Sequence, residues 1–141
     1  MSYSILLVED DEILLRTYQS ILEIDGYNVY AASDPYKALK LIENHNIHLA
    51  ILDYNLPYMT GTQLGHLIKK TKENIKIMFI SGNSKIHELV KDTKYEVCSV
   101  LIKPVSLEHL MRTLNYITKE IPEDEPCIGD NLEKVTIIKK L

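Results

Sequence analysis

The chain has 141 residues, of which 45% are hydrophobic and 26% are charged, a composition that fits one globular domain with a core and excludes a disordered protein. Its formal net charge of −4 excludes general electrostatic attraction to nucleic acid or anionic membranes. No apolar stretch approaches membrane-spanning length, and the first one, Ile5–Val8, stops at Glu9 and is too short for a signal peptide. We therefore expect a cytoplasmic location, no membrane contact and no nucleic acid bound through these residues.

Short apolar runs alternate with amphipathic segments along most of the chain. Five runs predict strands, and several are continuous rather than alternating, which is typical of a parallel sheet covered on both faces. The predicted strands are Ile5–Val8, Tyr27–Ala32, Leu49–Asp53, Ile75–Ser81 and Val97–Ile102. The predicted helices are Asp11–Ile24, a segment capped by Ser33 or Asp34 with Pro35 in its first turn, Thr60–Lys72, Ser84–Lys91 and Ser106–Ile121.

This order of elements predicts the fold class and the domain organisation. Five strands that alternate with five helices imply right-handed crossovers, and so an α/β fold with a doubly wound five-stranded parallel sheet and helices on both faces. We expect this domain to cover residues 1–121. Residues 122–141 begin with an acidic segment between two prolines, Pro122 and Pro126, which predicts a linker. The apolar run Val135–Ile138 that follows is either a docking tail or the start of another element.

Charged and hydroxyl side chains follow several of the predicted strands. In a doubly wound sheet the C-terminal ends of the strands line the ligand crevice. Carboxylates that meet there resist ionisation unless a cation offsets their charge, and oxygen ligands without histidine or cysteine favour magnesium. A lysine at the same edge can hold a phosphoryl oxygen or form an ion pair with Asp53, and a hydroxyl can donate to the same oxygens, so the set predicts a phosphoryl-transfer site. Its members are Glu9, Asp10, Asp11, Asp53, Ser81 and Lys103.

The ordered set of motifs is similar to that of a bacterial response-regulator receiver domain, over roughly Tyr3 to Ile121. The motifs are Leu7-Val8-Glu9-Asp10-Asp11, then Asp53 with Pro57 and Gly61 after it, then Ser81, then Lys103-Pro104. The resemblance implies a flavodoxin-like fold of the receiver type. It also implies a phosphoacceptor switch of a two-component system. Such a switch is not an enzyme, and its chemistry is at most the removal of its own phosphoryl group. The implied partner is a sensor histidine kinase or a phosphotransfer protein, and homodimerisation stays open.

The resemblance also implies a role for each residue of the site. Asp53 would accept the phosphoryl group. Mg²⁺ would be bound by Asp10, Asp53 and the backbone carbonyl of Asn55, with Glu9 acting through metal-bound water. Ser81 would be the switch hydroxyl, Lys103 would bridge to the phosphoryl group, and Pro104 would follow a cis peptide bond. For Asp11 the sequence leaves open whether it only caps the helix that follows.

Two other functions remain as alternatives. Val100 stands where the family usually has an aromatic residue, which argues for a docking module that works without phosphorylation, whereas the intact set of acids argues against it. If phosphorylation does occur, Val100 predicts that the signal travels through Ser81, the following loop and the helix Ser84–Lys91. The other alternative is a phosphohydrolase with Asp53 as its nucleophile. Such enzymes usually need an acid two residues later, where this chain has Asn55, which cannot exchange a proton as a carboxyl group does.

Overall fold

The computed structural model describes residues 3–119, and these form five parallel strands and five helices in strict alternation. The strands are β1 (Ser4–Val8), β2 (Asn28–Ala32), β3 (Leu49–Leu52), β4 (Lys76–Ser81) and β5 (Ser99–Ile102). The helices are α1 (Glu12–Ile24), α2 (Pro35–Asn44), α3 (Gly61–Thr71), α4 (Ile86–Lys91) and α5 (Leu107–Thr118). The strand order is β2-β1-β3-β4-β5, and every neighbouring pair is parallel. The predicted doubly wound α/β fold is confirmed.

Two apolar layers, one on each face of the sheet, hold the helices in place. On one face α2, α3 and α4 bury small and branched side chains against alternate strand residues, among them Ala38, Ile42, Leu64, Ile68, Ile86 and Val90. On the other face α1 and α5 do the same through Leu15, Leu22, Leu110, Leu114 and Ile117. Because both faces are covered, the central residues of the strands are mostly apolar and buried, which explains their short hydrophobic runs.

Side-chain caps determine where four of the helices begin. Asp11, Asp34, Thr60 and Ser106 each accept hydrogen bonds from backbone N–H groups in the first turn of the helix that follows. At α3 the cap is reciprocal, because the side chain of Gln63 also accepts a hydrogen bond from the backbone N–H of Thr60. The helix α4 differs: Lys85 at its N-terminus provides no side-chain cap. Among the five described helices, α4 is therefore the one whose N-terminus no side-chain cap stabilises.

The observed elements are shorter than predicted at several ends. Helix α4 begins at Ile86 rather than Ser84 because Asn83 forms a turn, in which its side chain accepts a hydrogen bond from the N–H of Lys85 at 2.9 Å. Helix α5 ends at Thr118 rather than Ile121. The predicted linker and tail, residues 122–141, lie outside the described residues. None of the helices within residues 3–119 has both the length and the apolar character needed to span a membrane.

Candidate functional site

Two adjacent central strands bring Glu9 and Asp53 together. In the register of β1 and β3, Val8 lies opposite Leu52, so the residues that follow these two strands are also neighbours. The backbone N–H of Asp53 donates to the carbonyl of Val8 at 3.1 Å, which continues the ladder by one step. Both carboxylates are buried, with exposed fractions of 3% for Glu9 and 6% for Asp53. The adjacency of β1 and β3 therefore explains why the carboxylates of Glu9 and Asp53 lie close together.

Lys103 forms ion pairs with both of these carboxylates. Its Nζ lies 2.5 Å from Oε1 of Glu9 and 2.8 Å from Oδ2 of Asp53. The backbone N–H of Lys103 donates to the carbonyl of Ser81 at 2.9 Å, which fixes the lysine beside the end of β4. The peptide bond between Lys103 and Pro104 is cis, as the resemblance implies. The ion pair with Asp53 was expected from the sequence, whereas the one with Glu9 was not.

Glu9, Asp10 and Asp53, which we call the acidic cluster, each place a carboxylate oxygen within 4.8 Å of the others. Asp10 is exposed, so the cluster opens to solvent on its side. Burial raises the pKa of Glu9, and the charge of Asp53 raises it further, although hydrogen bonds from Lys103 and from the N–H of Asp11 oppose this. Burial by itself lowers the pKa of Lys103, but its hydrogen bonds to Asp53 and Glu9 more than offset this and leave the pKa raised.

The charges of the acidic cluster fit a divalent cation. Three carboxylates face one ammonium group, and so the site has an excess of negative charge that a second positive group would offset. All the donors are hard oxygens, which suit magnesium. Asn55 lies on the same loop as Asp53 and donates its backbone N–H to Oδ1 of Asp53 at 3.3 Å. The residues predicted to hold a metal ion thus lie on two neighbouring loops.

Asp11 does not belong to the acidic cluster. Its Oδ1 accepts hydrogen bonds from the N–H groups of Ile13 at 3.0 Å and Leu14 at 3.2 Å, so it is the N-cap of α1. The capping interpretation of Asp11 is therefore confirmed. The two consecutive aspartates have different surroundings because one ends the loop and the other begins the helix.

Ser81 is fully buried at the end of β4, next to the strand that leads to Lys103. Its Oγ accepts a hydrogen bond from the N–H of Asn83 at 3.1 Å. Since this bond uses only a lone pair of the oxygen, the hydroxyl hydrogen remains available to donate. Val100 is also buried, in the apolar layer under α2, α3 and α4.

The loop between β3 and α3 has a close contact that the sequence reasoning did not identify. A Cβ atom added to Gly61 would overlap the backbone carbonyl of Asp53, so α3 begins directly against that residue. The N–H of Gly61 donates to the carbonyl of Tyr54 at 2.7 Å. In the same loop Tyr58 has a φ of 72°, a left-handed conformation that few side chains adopt. The interval from Asp53 to Gly61 was the available signal, but spacing alone does not reveal a backbone contact.

A family model described as "Response regulator receiver domain" matches residues 5–115. The chain belongs to this family. Receiver domains act as phosphoacceptor switches in two-component signalling, and the fold and ordered motifs of this chain agree with that role.

Among similar proteins, a probable transcriptional regulator, ycf29, from Pyropia yezoensis is 31% identical over 119 residues, covering 83% of this chain and 54% of that protein. The cell cycle transcriptional regulator CtrA of Caulobacter vibrioides is 28% identical, covering 82% of this chain and 50% of that protein. The chain thus spans about half the length of these relatives.

Solved structures of receiver domains have the same fold. A response regulator receiver domain protein (CheY-like) from Methanospirillum hungatei has a TM-score of 0.72 and 28% identity, covering 83% of this chain and 94% of that one. The response regulator TrrA of Thermotoga maritima, solved in complex with Mg²⁺ and BeF, has a TM-score of 0.71 and 22% identity, with coverage of 82% and 98%. Because TrrA is 22% identical to this chain, its similarity supports the fold alone.

Proposed function

We propose that Asp53 is the phosphoacceptor of this receiver domain and that it takes its phosphoryl group from the phosphohistidine of a sensor histidine kinase or phosphotransfer protein. The observation that carries this proposal is the Asp53 carboxylate, which is nearly buried, lies within the acidic cluster and is held by Lys103 at 2.8 Å. A carboxylate oxygen attacks phosphorus, the P–N bond to the donor imidazole breaks, and an acyl phosphate forms. The imidazole keeps the electron pair of the broken bond and takes up a proton.

The neighbouring side chains have electrostatic roles in this transfer. Lys103 keeps its positive charge, since its pKa is raised, and can pair with an oxygen of the incoming phosphoryl group. The hydroxyl of Ser81 can donate to another phosphoryl oxygen, because its present hydrogen bond uses only its oxygen as an acceptor. Charge neutralisation and positioning are the main contributions that a protein makes to phosphoryl transfer.

Mg²⁺ is the cofactor that the site residues would hold. Asp10, Asp53 and the backbone carbonyl of Asn55 would bind it directly, and Glu9 would act through metal-bound water. When bound, the ion neutralises charge on the phosphoryl oxygens. The excess negative charge of the acidic cluster supports this proposal.

The remaining parts of the proposal concern the role of the domain in a larger system. We infer a switch rather than an enzyme, with at most loss of its own phosphoryl group. We also infer a cytoplasmic location, a receiver domain over residues 1–121 and a linker and tail over 122–141. The relatives named as transcriptional regulators are about twice as long as the matched region, so DNA binding by a whole protein would use residues other than these.

Phosphorylation by a small-molecule donor tests this function. Acetyl phosphate with Mg²⁺ is expected to add one phosphoryl group to the folded wild-type chain, detected by intact mass spectrometry. Asp53→Asn should abolish the adduct. Asp11→Asn is the matched control: it also replaces a carboxylate by an amide, but asparagine is an equally good helix cap, and the adduct should persist.

This experiment, together with an assay of phosphate-ester turnover, discriminates between the alternatives. A folded wild-type chain that stays unmodified in the presence of Mg²⁺ and donor would favour the docking module. Sustained release of phosphate from a generic phosphate ester, lost in Asp53→Asn, would favour the phosphohydrolase.

A further inference from the structure

The helix α4 is weakly held by its own contacts. It has six residues and no side-chain N-cap, and only Ile86 and Val90 are buried. A groove with a volume of about 590 Å³ lies between α3 and α4, lined by Gln63 and Leu67 on one side and by Leu89 on the other. Since few apolar contacts cross this gap, the position of α4 depends on the attachments at its two ends.

The first attachment leads from the N-terminal end of α4 to Ser81. The side chain of Asn83 accepts a hydrogen bond from the N–H of Lys85, and its carbonyl accepts one from the N–H of Ile86 at 3.1 Å. The N–H of Asn83 in turn donates to Oγ of Ser81 at 3.1 Å. A change in the hydrogen bonding of Ser81 would therefore reach the start of α4.

The second attachment leads from the C-terminal end of α4 to α3 through Tyr95. Its hydroxyl donates to the backbone carbonyl of Thr62, in the first turn of α3, at 2.8 Å. The hydroxyl of Thr93 contacts both the carbonyl of Val90, at 2.7 Å, and that of Tyr95, at 3.2 Å. Burial raises the pKa of Tyr95 well above its ordinary value, so the hydroxyl remains protonated.

Two glycines give these contacts their close fit. A Cβ atom at Gly61 would overlap the carbonyl of Asp53, so the first turn of α3, which carries the carbonyl of Thr62, lies directly against that backbone. A Cβ atom at Gly65 would overlap the hydroxyl of Tyr95 and lie 2.8 Å from Cζ of its ring. Only a glycine at this position allows the tyrosine hydroxyl to approach the helix this closely.

We infer that Tyr95 is a positioning residue that couples α4 to the backbone of Asp53, along a path from Asp53 through Gly61 and Thr62 to Tyr95 and the end of α4. Phosphorylation would then act on both ends of this helix, through Ser81 at one end and through Tyr95 at the other. The inference rests on the proposed phosphorylation of Asp53 and specifies how it is transmitted.

Amide hydrogen exchange of the full-length chain, with and without beryllofluoride and Mg²⁺, tests this coupling. In the wild type the acyl-phosphate mimic should change the protection of Ile86–Lys91. Tyr95→Phe keeps the ring but removes the hydroxyl, so this change in protection should fall by a factor of about two or more. In the same variant, binding of the mimic and uptake of a phosphoryl group from acetyl phosphate should not change. A purely structural role of Tyr95 would not predict a reduced α4 response combined with unchanged binding and uptake.

Two further variants make the result specific. Gly65→Ala keeps the tyrosine but displaces its hydroxyl, and it should reduce the response of α4 in the same way; it also serves if Tyr95→Phe does not fold. Tyr27→Phe removes another tyrosine hydroxyl, which contacts Oγ1 of Thr118 at 3.3 Å, and it should leave the response of α4 unchanged.

The possible outcomes separate this inference from the proposed function. An undiminished α4 response in Tyr95→Phe and Gly65→Ala would overturn the inference, as would an equal loss in Tyr27→Phe or a wild-type α4 that does not respond to bound mimic. If the wild type neither binds the mimic nor accepts a phosphoryl group, the proposed function itself fails.

Discussion

Gly61→Ala should strongly destabilise the fold, because the added methyl group has no space. It would overlap the backbone carbonyl oxygen of Asp53 and lie 2.9 Å from its carbonyl carbon and 3.0 Å from Cα of Tyr54. These atoms belong to the backbone beside a central strand, so no side-chain rotation can relieve the overlap. Inserting a methyl group into a tightly packed site costs about 1–3 kcal/mol, and rigid neighbours place this site near the upper limit. The gain in helix propensity from glycine to alanine offsets at most about 1 kcal/mol.

The expected net loss of about 2 kcal/mol is measurable by urea denaturation followed by circular dichroism. With a slope of about 1–3 kcal/mol per molar urea, it corresponds to a midpoint lowered by about 1 M. Gly82→Ala is the matched control, because its Cβ would meet no atom within 4 Å and its φ is not positive, so its midpoint should stay close to that of the wild type. If both variants unfold at the wild-type midpoint, the close contact between α3 and Asp53 is not a real constraint, and the coupling path through Gly61 loses its first step.

Two further predictions concern the acidic cluster. Asp10→Ala should weaken Mg²⁺ binding by at least about tenfold in an NMR or calorimetric titration. Asp11→Ala should leave Mg²⁺ binding nearly unchanged and instead lower the free energy of unfolding by about 1 kcal/mol through loss of the cap. Equal losses of Mg²⁺ affinity would mean that the two aspartates have been assigned the wrong roles. Mg²⁺ affinity should also fall as the pH is lowered toward the raised pKa of Glu9, because the protonated carboxyl group does not attract the ion. Glu9→Gln should remove this component of the pH dependence. The same pH profile in wild type and in this variant would contradict the prediction.

The sequence predicted those features of the fold that depend on repeated local signals. Short apolar runs located all five strands. Thr60, Ser106 and the pair Ser33 and Asp34, between which the sequence left the cap open, marked the starts of three helices because a capping side chain acts on the turn directly after it. The side chains that meet at the strand ends were also predictable, since the C-terminal ends of parallel strands share one edge of the sheet. This is why Asp53 and Lys103, 50 residues apart in sequence, were expected to pair.

What the sequence did not reveal depends on contacts between elements that are distant in the chain. The ion pair of Lys103 with Glu9 requires the actual positions of three loops, and nothing in the local sequence separates it from the pair with Asp53. The hydrogen bond from Tyr95 to Thr62 spans 33 residues and depends on a missing side chain at Gly65. A glycine inside a helix pattern suggests some close approach, but it does not say which residue approaches.

The electrostatics of the acidic cluster indicate why a site of this kind responds to its chemical state. Buried carboxylates with one lysine between them are costly to desolvate, and the raised pKa of Glu9 reflects that cost. A phosphoryl group on Asp53 would add negative charge where negative charge is already in excess, so Lys103 would be drawn from Glu9 and Asp53 toward the new oxygens. The hydroxyl of Ser81 would donate to the same oxygens, and the loop that it anchors through Asn83 would follow. Since α4 has few contacts of its own, a small difference in interaction energy at its two ends would be enough to shift its position, and the proposed charge at Asp53 would thereby be converted into a change at a distant helix.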